Sequence, residues 1–162
     1  MQAIYESKIG KMLIESGEGP GGGEAIKRIE YVDDDSRSLS FPSVGEVASP
    51  VIDQCARELD EYFDGTRKTF DVPLLPVGTP FREKCWAELT RIPYGVAISY
   101  GEMARRVGNG KASRAVGGAN HNNPVNIIIP CHRVIGANGA LTGYGGGIWR
   151  KKWLLEHEGV EL

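Results

Sequence analysis

Residues 99–119 read SYGEMARRVGNGKASRAVGGA, which contains two short helical segments separated by a glycine turn. Ser99 followed three residues later by Glu102 has the form of a capping box, so a helix should begin at Ser99. Glycines 108 and 110 end that helix, and a second one should run from about Ala112 to Ala119. The pattern predicts a helix-turn-helix, a motif that often binds DNA, although many helical hairpins bind nothing.

Positive charge is concentrated in the half of the chain that carries this motif. Residues 80–162 contain eleven Lys and Arg against six Asp and Glu, whereas residues 1–79 contain eight against fifteen. The halves carry net charges of +5 and −7, consistent with −2 for the whole chain. The two helices and their turn include four of the cations: Arg105, Arg106, Lys111 and Arg114. This asymmetry predicts a polyanion as partner of the second half, with chance clustering of solvated charge as the alternative.

The first part of the chain has the pattern of a small α/β unit. Residues 1–34 should form short strands, because KMLIES and IKRIEYV are rich in apolar and β-branched residues, and the GEGPGGGE segment between them cannot be helical. An amphipathic helix follows, with Ser49 as its N-cap and Gly65 at its end. The three prolines in residues 71–80 predict a linker between two domains.

The second part continues with further helices around one buried segment. Thr79 and Pro80 should open a helix whose buried stripe is Phe81, Cys85 and Leu89 with Trp86 beside them, and IPYG at 92–95 is a turn. Three consecutive isoleucines, 127–129, predict a strand buried on both faces that leads into Cys131. The last helix should start near Ile148 and bury the following residues: Trp149, Trp153 and Leu154 or Leu155.

Three cysteines with wide spacing argue against a disulfide framework. Cys55 and Cys85 lie on apolar helix faces, which indicates core positions. Cys131 differs, because it follows a buried segment and precedes His132, which could take the thiol proton directly or through one water. A carboxylate would then be needed to orient the imidazole, and Glu158 is the candidate. Adjacency alone leaves a plain core thiol as the alternative.

Two other site types compete for these residues. His121, Cys131 and His132 lack the paired spacing of zinc ligands, so we expect no metal. A thiol protease would require a histidine distant in sequence, and His121 and His157 are available, but the basic second half gives such an enzyme no obvious use. We also expect no secretory signal and no apolar run of the roughly 18 residues that a membrane helix needs, which predicts a cytoplasmic protein, or a nuclear one in a eukaryote.

The stretch from Phe81 to Gly159 resembles the O6-alkylguanine-DNA alkyltransferases. The matching pieces are IPYG, SYGEMA, SRAVGGA, NNPVNIIIPCHRVIG, LTGYGGG and KKWLLEHEG, which occur in the family's order across about half of the chain. The PCHRV core is highly specific, whereas the EYFDG helix end of the first half is a looser match. The resemblance implies a two-domain α/β protein. Residues 1–75 would form a small ribonuclease-H-like domain with an antiparallel sheet, and residues 76–162 a mostly helical, winged-helix-like domain with the helix-turn-helix.

The resemblance also implies a reaction. Cys131 would irreversibly accept a methyl or other alkyl group from O6-alkylguanine in double-stranded DNA, with O4-alkylthymine as a further substrate, and each molecule would act once. His132 would be the base, Glu158 would hold the imidazole, and Asn123 would fix the turn before the cysteine. Tyr100 would donate a proton toward the departing guanine. No cofactor and no metal are implied, and we expect a monomer.

The remaining implied roles concern DNA and the base. Arg114 would enter the base stack in place of the flipped nucleotide, a plain phosphate contact being the alternative. DNA contacts would also come from four further residues: Tyr100, Ser113, Gly118 and Lys111. The pocket for the base would be formed by five residues: Tyr144, Gly145, Val134, Lys151 and Asn120. The polar Asn120–Asn122 segment and Gly145, where some relatives carry serine, depart from the family pattern.

Two functions from other classes are the alternatives to alkyl transfer. A non-catalytic lesion-binding module of the same fold would lack the acceptor cysteine, so Cys131 argues against it. A helix-turn-helix regulator, with PCHRV as a structural segment, would bind one DNA sequence tightly. A shift assay with lesion-bearing and plain duplexes separates preference for damage from preference for sequence.

Overall fold

Residues 1–33 and 35–162 are described by the computed structural model, and they divide into two units, Met1–Val77 and Gly78–Leu162. Asp34, the last residue of the predicted strand region, lies outside the described residues. A helix long and apolar enough to span a membrane does not occur in the described part of the chain.

The first unit contains a three-stranded antiparallel sheet with strand order β1-β2-β3. Its strands are β1 (Gln2–Ser7), β2 (Gly10–Glu18) and β3 (Glu24–Tyr31). A bulge between Glu15 and Ser16 shifts the register of β2 against β3. The glycine-rich segment after β2 forms one short 3-10 turn, Pro20–Gly22, in which Gly21 has a positive φ of 85°. The predicted strands are therefore present.

The predicted amphipathic helix packs on this sheet. After the one-turn helix α1 (Asp35–Ser38), helix α2 spans Pro50–Phe63, and Ser49 Oγ accepts a hydrogen bond from the Ile52 amide at 3.3 Å. Ser49 therefore caps the helix as predicted. Its buried face includes Ile52, Cys55, Leu59 and Tyr62, all fully buried, so the prediction that Cys55 is a core residue is confirmed.

The proline-rich segment predicted as a linker is bound to the first unit over its first half. Ile26 in β3 donates to the Pro73 carbonyl and accepts from the Leu75 amide, both at 2.8 Å. The buried carboxylate of Glu58 accepts from the amides of Asp71 and Val72 at 2.8 and 3.1 Å. Residues 71–75 thus extend the sheet edge, because β3 has an open edge whose backbone groups need partners.

The second unit is mostly helical, as predicted. Its elements are α3 (Pro80–Leu89), β4 (Ile98–Ser99), α4 (Tyr100–Arg106), α5 (Ser113–His121), β5 (Val134–Ile135) and α6 (Ile148–His157). Ser99 Oγ accepts from the Glu102 amide at 3.0 Å, so α4 begins where the capping box predicted. Strands β4 and β5 pair in parallel, and α4 and α5 form the helix-turn-helix around Gly108.

The predicted strand at isoleucines 127–129 is wrong. These residues form a buried turn, in which Ile129 donates to the Val125 carbonyl at 3.0 Å and Ile127 has a φ of 72°. Asn123 starts the turn, because its Oδ1 accepts from the Val125 amide at 3.0 Å. This local side-chain hydrogen bond takes the place of the backbone hydrogen bonds that a strand would have made in a sheet. A β-branched residue in the left-handed region is strained, and the turn therefore depends on its surroundings to persist.

Two predicted core aromatics are exposed. Phe81 is 36% exposed, because the α3 stripe passes through Trp86 instead, whose Nε1 donates to the Ala119 carbonyl at 2.9 Å. Trp149 is 57% exposed and stacks on the Arg150 guanidinium at 4.7 Å. The core positions of Cys85, Leu154 and Leu155 are confirmed, since all three are fully buried.

Candidate active site

Cys131 lies in a 3-10 turn, Cys131–Arg133, directly after the buried isoleucine turn. Its side chain is 5% exposed, and its Sγ accepts a hydrogen bond from Asn123 Nδ2 at 3.2 Å. The same Nδ2 donates to the Ile129 carbonyl at 2.7 Å, so one side chain fixes both the turn and the sulfur. Burial raises the pKa of the Cys131 thiol, while the Asn123 hydrogen bond and the charge of Lys151 act in the opposite direction. The free protein therefore holds a thiol that needs a base to react.

The imidazole of His132 belongs to a buried charged group of three residues. His132 Nε2 lies 2.8 Å from Glu158 Oε2, and Arg133 donates to both carboxylate oxygens at 2.8 and 3.1 Å. Arg133 also donates to the Ile92 carbonyl at 2.6 Å, and the Gly95 amide donates to Glu158 at 3.3 Å. Burial alone would raise the pKa of Glu158, but the bonds from His132 and Arg133 outweigh it and hold that pKa far below its ordinary value.

The charge balance of this group keeps His132 neutral. Arg133 already neutralises Glu158, so a protonated imidazole would leave an unbalanced positive charge in the interior. Burial accordingly lowers the pKa of His132, although Glu158 acts to raise it. The carboxylate selects the tautomer with its proton on Nε2. The Nδ1 lone pair is then available, and this buried atom has no hydrogen-bond partner among the described residues.

Helix α6 supplies a second buried cation, which contacts strand β5. Lys151, 1% exposed, donates to the Val134 carbonyl at 2.6 Å and to the Thr142 carbonyl at 2.8 Å. Burial lowers its pKa to about 8. The Tyr100 hydroxyl donates to the same Thr142 carbonyl at 3.2 Å, and the Tyr100 ring lies 5.7 Å from Lys151 Nζ. Thr142 therefore joins Tyr100 to Lys151 at the start of the glycine-rich loop.

The other predicted pocket residues differ in their surroundings. Tyr144 is buried, Gly145 is exposed, and Val134 is fully buried in β5. Asn120, in the last turn of α5, is 5% exposed, and both atoms of its carboxamide lack a hydrogen-bond partner among the described residues. A buried carboxamide without partners is rare in native proteins, and each such group calls for an explanation, of which a functional role is one.

Replacing Asn120 with leucine should stabilise the free protein. The substitution keeps the branched shape of the side chain and removes an unsatisfied buried amide, whose cost is about 1–3 kcal/mol. The expected rise in Tm is about 2–4 °C per kcal/mol for a chain of this size. Thermal unfolding checks this. Ser16→Ala, which removes a buried hydroxyl that also has no partner among the described residues, should change Tm in the same direction. A fall in Tm for Asn120→Leu would contradict the prediction.

Four of the five predicted DNA-binding residues lie in or just before α5, and the fifth, Tyr100, is the first residue of α4. Arg114 and Lys111 are exposed, whereas Ser113 and Gly118 are half-buried. Helix α5 starts at Ser113 with no side-chain cap, which leaves its first amides unpaired by a side chain. A Cβ added at either of glycines 117 and 118 would meet no atom within 4 Å among the described residues. On that side of the helix the backbone therefore has open space next to it.

Hydrogen bonds join six of the predicted residues into three pairs. Asn123 contacts Cys131, Glu158 contacts His132, and Tyr100 and Lys151 meet at the Thr142 carbonyl. Cys131 and His132 are consecutive in the chain, which links the first two pairs. The Tyr100 hydroxyl bonds to the chain here rather than pointing to an open position. Arg133 is not among the predicted site residues. Its place inside the PCHRV motif, directly after the histidine, is a signal of its own importance but does not indicate the contact with Glu158.

Two family models match this chain. One, described as the ribonuclease-like domain of 6-O-methylguanine DNA methyltransferase, matches residues 1–76, and the other, described as its DNA binding domain, matches residues 80–160. The chain belongs to the 6-O-methylguanine DNA methyltransferase family. The predicted fold class is thereby confirmed, with a ribonuclease-like first part and a DNA-binding second part.

Individual members of the family are similar over most of the chain. A methylated-DNA–protein-cysteine methyltransferase of Methanosarcina acetivorans is 45% identical over 157 residues, covering 97% of each chain. The protein of that name from Mycobacterium bovis is 49% identical over 133 residues, covering 82% of this chain and 78% of the relative. A crystal structure of Mycobacterium tuberculosis OGT in complex with DNA superposes with a TM-score of 0.81 at 41% identity, covering 97% of this chain and 91% of that one.

Proposed function

We propose that this protein repairs DNA by transferring a methyl or other alkyl group from O6 of guanine to Cys131, once per molecule. The observation that carries this proposal is the buried Cys131 thiol, followed in the chain by a buried His132 whose Nε2 is bound by Glu158 and whose Nδ1 has no partner among the described residues. Relatives across most of the chain bear the name methylated-DNA–protein-cysteine methyltransferase. A family member was also crystallised with DNA.

The transfer is a displacement at the alkyl carbon. Cys131 Sγ forms a bond to that carbon while the bond from the carbon to O6 breaks, and the electron pair of that bond remains on guanine. His132 Nδ1 takes the thiol proton, directly or through one water, and guanine gains one proton, so the net transfer yields a thioether and unmodified guanine. A thioether is a stable product. The protein is therefore consumed, and its reaction is stoichiometric.

Tyr100 and Lys151 act on the guanine side of this reaction. Burial raises the pKa of the Tyr100 hydroxyl, so it keeps its proton at neutral pH and can donate it toward the departing base. Lys151 holds the Thr142 carbonyl to which Tyr100 is bonded. Around the base, the pocket comprises Tyr144, Gly145, Val134, Lys151 and Asn120.

DNA binding and base extrusion belong to α5. An alkyl group on O6 faces the interior of the duplex, so the nucleotide must leave the stack at a cost of a few kcal/mol. Ser113 and Lys111 contact the backbone near the start of α5, where unpaired amides favour phosphate, and Gly118 allows close approach. Arg114 enters the stack in place of the extruded nucleotide. Binding is sequence-tolerant and weakens with salt.

Replacing Arg114 with alanine should slow repair of duplex DNA and spare the chemistry. Loss of the residue that fills the stack leaves the extrusion cost uncompensated, which predicts a rate about ten- to a hundredfold lower with a lesion duplex. Transfer from free O6-benzylguanine, which needs no extrusion, should be unchanged. Arg91→Ala, which removes an exposed arginine paired with Glu88, is the control. Equal losses with both substrates would contradict an extrusion role.

Cleavage by a restriction enzyme whose site is blocked by O6-methylguanine tests the proposed function. A duplex with O6-methylguanine in the site is incubated with the protein, and cleavage should return in proportion to the protein added, one site per molecule. Tight lesion binding without restored cleavage would favour a damage-binding module. Equal binding of plain and lesion duplexes with preference for one sequence would favour a regulator.

The protein has two domains with different roles and acts where its DNA substrate is found. Residues 1–75 form the structural domain and residues 76–162 the DNA-binding and catalytic domain. The protein acts as a monomer and needs neither cofactor nor metal, since the alkyl group, the acceptor and the base are all supplied by the lesion and the chain. It works in the cytoplasm, or in the nucleus of a eukaryote, because its substrate is chromosomal DNA.

A further inference from the structure

The glycine-rich loop at residues 142–147 is held at both ends by consecutive residues of α6. Lys151 binds the Thr142 carbonyl at the start of the loop at 2.8 Å. Arg150 Nη1 donates to the Gly146 carbonyl near its end at 3.0 Å. Between these contacts, the Gly147 amide donates to the Tyr144 carbonyl at 2.9 Å, which closes a turn within the loop.

Arg150 is covered by an exposed tryptophan. Its guanidinium lies 4.7 Å from the Trp149 ring, and Arg150 is 4% exposed whereas Trp149 is 57% exposed. The Trp149 ring also borders the end of the loop, since a Cβ at Gly147 would lie 3.3 Å from its Cδ1. The indole therefore covers the guanidinium that binds Gly146, and a charged hydrogen bond is stronger where its donor is removed from water.

Helix stability does not explain these cations. Arg150 and Lys151 lie in the first turns of α6, which has no acidic residue in its first turn and no side-chain cap on Gly147. Positive charge near a helix N-terminus opposes the helix dipole and is unfavourable there. Both cations are nevertheless buried and directed to loop carbonyls. Their placement costs helix stability and gains contacts with the loop, which is the pattern of a functional rather than a structural choice.

We propose that Arg150, covered by Trp149, is a positioning residue that limits how far the base-binding loop opens and so favours small alkyl groups over bulky ones. This inference rests on the proposed function. Gly143 and Gly147, which have positive φ values of 67° and 94°, give the loop the backbone freedom to open. We call the Arg150–Gly146 bond and its Trp149 cover the clamp. With the clamp intact, the loop closes over a methylated base in one position. When the clamp is loosened, the pocket is wider and its shape is less defined.

The test compares Trp149→Ala and Arg150→Met with wild type in two measurements. Amide hydrogen exchange of residues 143–147 should become about tenfold faster in both variants, because the loop opens more often. Transfer to Cys131 from O6-methylguanine should fall about tenfold through poorer positioning. Transfer from O6-benzylguanine should fall less, so the ratio of the two rates shifts toward the benzyl substrate. Trp149→Phe, which keeps an aromatic ring over Arg150, should restore both readouts.

Lys152→Ala is the matched control, because Lys152 lies on the same helix, is exposed and pairs with Glu156 at 3.7 Å. It should change neither the exchange nor the ratio. Unchanged exchange of the loop in Trp149→Ala, or an equal fall with both substrates, would overturn the clamp. Trp149 is exposed, so its variant should fold even if Arg150→Met does not. A wild-type protein that transferred neither group would overturn the proposed function, while the exchange measurement would still decide the clamp.

Discussion

We expect Cys131→Ala to abolish alkyl transfer and to leave DNA binding unchanged. Alanine removes the only atom that can accept the alkyl group in the proposed reaction, and neither His132 nor Tyr100 can replace a sulfur nucleophile. Helix α5, which binds DNA in the proposed function, lies earlier in the chain and keeps its own contact to α3 through Trp86 and Ala119. Transfer is measured with a radiolabelled methyl group on duplex DNA, and binding is measured by fluorescence anisotropy.

The matched control is Cys85→Ala. Cys85 is a fully buried thiol of the same unit, and burial raises its pKa as well. The two cysteines are therefore both buried thiols, but different residues surround them. The control should lose about 1 kcal/mol or more of stability through a small cavity and keep full transfer. Transfer by Cys131→Ala, or loss of transfer in Cys85→Ala at a temperature where it is folded, would contradict the assignment of the acceptor.

Glu158→Gln should reduce both the rate of transfer and the stability of the protein. The amide can present an N–H to His132 Nε2, which moves the imidazole proton to Nδ1 and removes the lone pair that takes the thiol proton. A loss of about a hundredfold or more in rate is expected, because the wrong tautomer removes the general base. Arg133 is left buried without a carboxylate, which costs about 3–5 kcal/mol. Rate and urea unfolding are measured on the same sample.

A double variant separates the two effects. Arg133→Met combined with Glu158→Gln removes the uncompensated charge and should recover part of the stability without recovering the rate, since His132 remains in the wrong tautomer. Recovery of the rate together with stability would show that Glu158 acts only through folding.

The pH dependence of stability follows from the direction of the Glu158 shift. The folded-state pKa lies below the ordinary value, so the unfolded chain binds the proton first as pH falls. The stabilisation from Glu158 is fully present above about pH 4.3, the ordinary value for glutamate, and is lost as pH falls through the folded value. Glu158→Gln should lack this loss, and comparison of unfolding curves between pH 3 and 6 is the measurement.

Local sequence signals predict the helices well. Ser49, Thr79 and Ser99 each cap the helix that their position indicates, because an N-cap bond is made within four residues and does not depend on the rest of the fold. The two-domain class follows from the PCHRV segment and its flanking motifs, and the family models confirm it.

The wrong or missing predictions concern residues whose partners lie far along the chain, or whose conformation is set by a local contact that competes with the predicted structure. Three isoleucines in a row have the composition of a strand, but Asn123 draws the backbone into a turn through its own Oδ1. The sequence predicts that the last helix buries Trp149, yet its ring is exposed and packs on the adjacent Arg150. Arg133 escapes sequence reasoning because its partner, Glu158, lies 25 residues away and spacing alone does not indicate the contact.

Intact mass spectrometry tests the central claim most directly. The protein is mixed with an excess of duplex carrying one O6-methylguanine, and its mass is recorded before and after the reaction. The account predicts a gain of one methyl group per molecule, located on Cys131 by fragmentation, and no further gain with more DNA. No gain, a methyl group on another residue, or repair of more lesions than there are protein molecules would contradict it.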